Sequence, residues 1–152
     1  MPASGVADGN TPVATLIPPV LALIAWTFVM WVWLYMTRIP ALRAANVDLV
    51  AVSRTGGKLE LPPEVTRVAD NYNHLHEQPT IFYALALAAE VGNVVDWWSM
   101  ALGWSYVILR VLHSFVQATR NVIMVRFCVF AVASLVLLLL LVRTILLLAY
   151  PQ

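Results

Sequence analysis

Two short stretches hold most of the side chains that could do chemistry. In RVADNYNHLHEQPTIF, Arg67, Asn71, His74 and Glu77 or Gln78 follow one another at intervals of four, three, and three or four. In SYVILRVLHSFVQATR, Tyr106, Arg110, His113, Gln117 and Arg120 are spaced by four, three, four and three. These are helical intervals, so each set lines one face of its helix. Charges within apolar helices are costly unless they meet a partner or a wet cavity. Glu77 and Arg110 are expected to pair, with His74 and His113 about one turn closer to the cytoplasm. Two readings fit this arrangement: an ion pair that sets helix register, or a polar cavity open to the cytoplasm. Glu90 and Arg143 form a second expected pair, unless Arg143 snorkels outward. His74 and His76 are two residues apart and point to different faces, with no carboxylate or thiol set around them, so neither a metal site nor haem is expected. Cys128, the one cysteine, excludes an intrachain disulfide and lies in an apolar run, where it reads as a small buried hydrophobe.

The elements that must position these residues are membrane spans. Of 152 residues, 61% are hydrophobic and 11% charged, against about 25% charged in a typical soluble domain. Mean hydropathy is +0.81. A net charge of +1 gives no basic face for nucleic acid. The tail MPASGVADGNTP carries no Lys or Arg and reads as disordered, followed by a retained span rather than a signal peptide. Four spans are expected, at about 13–36, 67–92, 97–119 and 126–150, with a loop over 37–65; each is close to the roughly 20 apolar residues a crossing needs. RVADNYNHLHEQPTIFYALALAAE reads as one helix, polar in its first half and apolar in its second. The TGGKLE segment of the loop lacks the rest of a phosphate-binding P-loop. VGNVVD and RNVIM are short turns, which make consecutive spans antiparallel neighbours. Arg38, Arg43, Arg54, Lys58 and Arg67 gather around the first loop and Arg120 and Arg126 at the third connection. The positive-inside rule therefore puts both on the cytoplasmic side and both termini outside. The fold expected is one all-α membrane domain over 1–152, a four-transmembrane-helix bundle.

This span pattern and both polar stripes resemble the MAPEG family, the membrane-associated proteins of eicosanoid and glutathione metabolism. The carrying residues are Arg67, Asn71 or His74, Glu77 and Pro79 in the second span, then Arg110, His113, Arg120 and Arg126 in ILRVLHSFVQATRNVIMVRF. EQPTIFYALAL with LRVLHSFVQATRN looks most like a bacterial branch without an assigned reaction, which implies a bacterial inner membrane. The resemblance implies a homotrimer in the lipid bilayer that binds glutathione between subunits near the cytoplasmic side. It implies Arg126 as the catalytic residue that stabilises the thiolate, and Arg67, Asn71, His74, Glu77, Arg110 and His113 as the peptide's binding set. A guanidinium beside a thiol lowers a pKa that starts near 8.5. The chain departs from the glutathione users at Asp70 and Asn73, where they carry more Arg, and at Gln117, where they tend to carry Tyr. Pro79 also follows Glu77 slightly early. An Asp at such a position repels glutathione's carboxylates.

Three functions are compatible with these residues. One is a glutathione transferase or peroxidase acting on lipophilic substrates. A second is a non-catalytic trimer of the same kind that binds another small anion, thiol or lipid. The third is a structural or partner-binding membrane protein.

Overall fold

α1 (Ile17–Ala44) begins with Pro18 and Pro19 in its first turn, where their missing N–H groups cost nothing. It comes from a computed structural model that describes residues 14–45, 54 and 61–150. The N-terminal tail and TGGKLE lie outside those residues. Four further helices follow: α2 (Pro63–His74), α3 (Gln78–Val91), α4 (Trp97–Ala118) and α5 (Ile123–Ala149). Among the described residues α1, α4 and α5 are each long and apolar enough to cross a membrane. α4 and α5 form the most extensive pairing, α1 packs on α2 and α4, and α2 also packs on α4. A core including Leu16, Leu23, Met30, Phe82, Tyr106 and Leu140 runs between them.

Three expectations about the elements need correction. The loop expected from residue 37 begins later, because α1 continues to Ala44. The Thr37 hydroxyl donates back to the carbonyls of Trp33 and Leu34 at 3.0 and 3.1 Å, which satisfies it inside the helix. The second span is two helices rather than one, interrupted at residues 75–77. Pro79 has no N–H for the Leu75 carbonyl, and its ring crowds that carbonyl. The chain therefore tightens there: the N–H groups of His76 and Glu77 turn to the carbonyls of Asn73 and His74 at 2.9 and 3.4 Å. Cys128 is exposed, not buried. α5 is apolar around most of its circumference, so apolar residues such as Phe127 and Leu135 also face outward.

The second expected ion pair is also rearranged. Arg143 pairs with Asp96 through both carboxylate oxygens, while Glu90 accepts from the Thr15 hydroxyl at 2.7 Å and from the Leu16 N–H at 2.5 Å. The start of α1 has unpaired N–H groups and a positive dipole end, which the Glu90 carboxylate meets. Asp96 is the N-cap of α4 and accepts from the Ser99 N–H and hydroxyl, both at 2.8 Å. The Arg143 guanidinium, chiefly, with Ser99 holds the Asp96 carboxyl below the usual carboxylate range. A carboxyl depressed in the folded state stabilises fully above its unfolded value of about 3.9 and loses that contribution as pH falls toward the folded value. Wild type is therefore expected to lose thermal stability more steeply between about pH 5 and pH 3 than Asp96→Asn. Thermal unfolding followed by circular dichroism checks this, and equal slopes would count against it. Asp96→Ala additionally loses the cap, worth about 1 kcal/mol.

Candidate functional site

Where α2, α4 and α5 meet, a cleft of about 500 Å³ is lined by Asp70, Asn73, His74, Glu77, His113, Gln117, Ile123, Arg126, Phe127 and Phe130. The helix break supplies one wall. Glu77 lies in the tightened turn, 66% exposed, with its Oε2 2.6 Å from His74 Nδ1. α4 supplies the floor. His113 is buried, with Nδ1 3.2 Å from the Arg126 carbonyl and Nε2 3.0 Å from Gln117 Oε1. A carbonyl only accepts, so Nδ1 carries a proton, and the Gln117 amide can turn to serve Nε2. The rings of His74 and His113 are 5.2 Å apart and lie 5.3 and 5.8 Å from that of Phe130.

α5 supplies the third wall through its first turn. Asn121 adopts φ 50°, a left-handed conformation that Asn tolerates better than most residues. Its N–H donates to the Val116 carbonyl at 2.7 Å, and its side-chain oxygen accepts from Arg126 Nη1 at 2.9 Å. The turn thus holds the guanidinium by one edge.

Of the seven residues expected at a site, the structure brings His74, Glu77, His113 and Arg126 together at this cleft. Arg67 is elsewhere: its Nη1 donates to the Thr119 carbonyl at 3.1 Å, tying the start of α2 to the end of α4. Asn71 is buried inward, with neither side-chain polar atom partnered among the described residues. Arg110 lies behind the lining. The expected Glu77–Arg110 pair does not form; Arg110 Nη2 instead donates to the His74 carbonyl at 2.9 Å, and its Cζ sits 5.7 Å from the Phe130 ring. The break explains this, because it swings Glu77 outward and leaves the His74 carbonyl a long 3.4 Å bond from the Glu77 N–H, with room for a second donor.

Sequence reasoning named Arg126 on the α5 side of the cleft but missed its aromatic neighbours Phe127 and Phe130. Phe130 stands four residues after Arg126, a helical spacing that would have put it on the same face. His76 turns the other way and lines a separate hollow of about 270 Å³ with Ile24, Phe28, Trp31 and Leu75, as the two-residue spacing from His74 implies. Among the described residues, no group of three or more His, Cys, Asp or Glu side chains gathers to hold a metal ion.

No curated protein and no solved structure matches this sequence. The sequence profile of the MAPEG family matches residues 16–146, which encompass all five helices apart from the last turn of α5, and the chain belongs to that family.

Proposed function

We propose that this multi-pass membrane protein crosses the bilayer four times, α2 and α3 together making the second crossing. Its cleft binds a low-molecular-weight thiol and presents the thiolate to a lipophilic electrophile arriving from the bilayer. The basic residues around the first loop and Arg120 and Arg126 support a cytoplasmic position for the cleft, with the termini outside. Family membership supports a homotrimer as the working unit.

The observation that carries this reading is the setting of Arg126. One edge of its guanidinium is held by Asn121 and the side chain lines a cleft that also offers Phe127 and Phe130. A fixed guanidinium favours the charged form of a thiol, and the aromatic side chains offer a contact surface to an apolar substrate. Glutathione, the thiol expected from the resemblance, fits this cleft in part. Its thiol and ammonium have suitable neighbours in Arg126 and in Asp70 and Glu77, but its two carboxylates have one lining guanidinium between them.

With an aryl halide the reaction is a substitution. The C–S bond forms as the C–Cl bond breaks, chloride leaves with the electron pair, and the thiol proton passes to solvent. Purified protein in detergent is expected to gain thermal stability with millimolar cysteine, and not with serine. Ligand at 100 times its Kd adds about 2.7 kcal/mol. Arg126→Ala should lose that gain and the conjugation of thiol to a generic aryl halide. Absence of a shift with cysteine, cysteamine and glutathione alike would sink the proposal.

A further inference from the structure

We infer that the thiol taken by the α2–α4–α5 cleft carries an ammonium group and at most one carboxylate, so that its net charge is zero or positive. The inference rests on the thiol-site reading above and concerns which thiol fits.

The charges that line the cleft are segregated by helix. The α2 side presents Asp70, Asn73 and Glu77, all exposed, whereas the α5 side presents Arg126. Two carboxylates stand against one guanidinium; Glu77 Oε2 is 2.6 Å from His74 Nδ1, and the Asp70 carboxylate and the second Glu77 oxygen are left to a ligand. The other guanidiniums on these helices do not redress that ratio. Arg67 is engaged with the Thr119 carbonyl. Arg110 is 1% exposed, bonded to the His74 carbonyl and covered by the Phe130 ring. Arg120 is exposed and not part of the lining. His113, buried between Gln117 and the Arg126 carbonyl, is occupied at both ring nitrogens.

A ligand lying across this cleft with its sulfur near Arg126 turns its other end toward α2. There an ammonium meets acceptors at Asp70, Asn73 and Glu77, and its three N–H donors can all be used. A carboxylate at the same place meets two like charges. Each such like-charge contact is unfavourable, and more so where solvent is partly excluded. Arg126 can neutralise one anionic group beside the sulfur, but not two. The chemical class is therefore an aminothiol or a thiol amino acid, rather than a thiol with more carboxylates than amines.

The test compares four small molecules on the full chain in detergent by calorimetry: cysteamine, ethanolamine, 3-mercaptopropionate and glutathione. Cysteamine is expected to bind at least about ten-fold more tightly than 3-mercaptopropionate or glutathione, a difference of about 1.4 kcal/mol. Asp70→Arg should abolish or invert that preference, and Asp70→Asn, a milder change at an exposed position, should shrink it several-fold. If 3-mercaptopropionate or glutathione binds as tightly as cysteamine, the charge preference is overturned while the thiol site stands. If ethanolamine matches cysteamine, the thiol reading falls, and the inference about which thiol with it. If none of the four binds, both are overturned.

Discussion

Replacing Arg110 with alanine should lower the stability of the detergent-solubilised protein by about 2–5 kcal/mol, whereas methionine at the same position should cost less than half of that. Arg110 is 1% exposed, and its long side chain fills the space beneath the break between α2 and α3. Alanine leaves that space empty and takes from the His74 carbonyl the shorter of its two bonds, leaving the 3.4 Å contact with the Glu77 N–H. Methionine keeps most of the volume. It also removes a buried charge whose Nε and Nη1 have no partner among the described residues. Buried charges that are incompletely paired can be exchanged for apolar groups of similar size at little cost. Unfolding titrations in sodium dodecyl sulfate would rank the variants. Methionine as damaging as alanine would mean that the single bond to the His74 carbonyl, not the packing, keeps the break in shape. The comparison also bears on the clasp reading of the polar stripes, because Arg110 holds a backbone carbonyl where an ion pair with Glu77 was expected.

That difference shows what the sequence could and could not convey. The α4 stripe was legible because α4 is unbroken. Tyr106, Arg110, His113 and Gln117 are all buried, as one continuous 3.6-residue period requires. The boundaries of α4 and α5 also fall within a few residues of expectation, since long apolar runs bounded by short polar turns leave little freedom. The α2 stripe was legible only in part. Pro79 ends the helical phase at residues 75–77, and the cleft takes Asp70, Asn73, His74 and Glu77 while Asn71 turns inward. Arg67 and Asn71 leave the cleft although they precede the break: each residue along a helix turns the face by roughly 100°, and spacing within α2 does not say which of its faces the other helices leave open. The partners of Glu90 and Arg143 were not legible for a different reason. Depth along a helix axis is one coordinate, and two acids, Glu90 and Asp96, stand near the same end of the bundle. The choice between them was made by the N-terminus of α1, which no residue spacing on the other helices records.

The same end of the bundle carries a second large effect. Gly103→Ala is expected to cost about 1–3 kcal/mol, while Gly92→Ala should stay within about 0.5 kcal/mol. A Cβ built at either glycine meets a leucine methyl, at 2.5 Å from Leu16 Cδ2 for Gly103 and 2.7 Å from Leu148 Cδ2 for Gly92, where the Ala88 carbonyl oxygen also stands 3.1 Å away and needs a shift of a few tenths of an ångström. Distance alone would rank them together, so the freedom of the neighbour decides. Leu148 is 49% exposed on α5 and can turn its side chain aside. Leu16 is fully buried, its N–H is anchored on Glu90 at 2.5 Å, and the Pro19 ring stands 3.4 Å from the same added carbon. Neither Leu16 nor a proline ring can retreat, so α1 must move away from α4. Small residues let membrane helices approach closely where no hydrophobic effect draws them together, and this glycine does so beside the carboxylate that holds the start of α1. Alanine's better helix propensity, worth about 0.8–1 kcal/mol over glycine, offsets part of the clash at Gly103. Equal unfolding midpoints for the two variants would show that α1 can shift without loss and that the contact at Leu16 is not what seats it. A lower midpoint for Gly103→Ala, with a smaller penalty for the same change in a Leu16→Ala background, would locate the cost in that one contact.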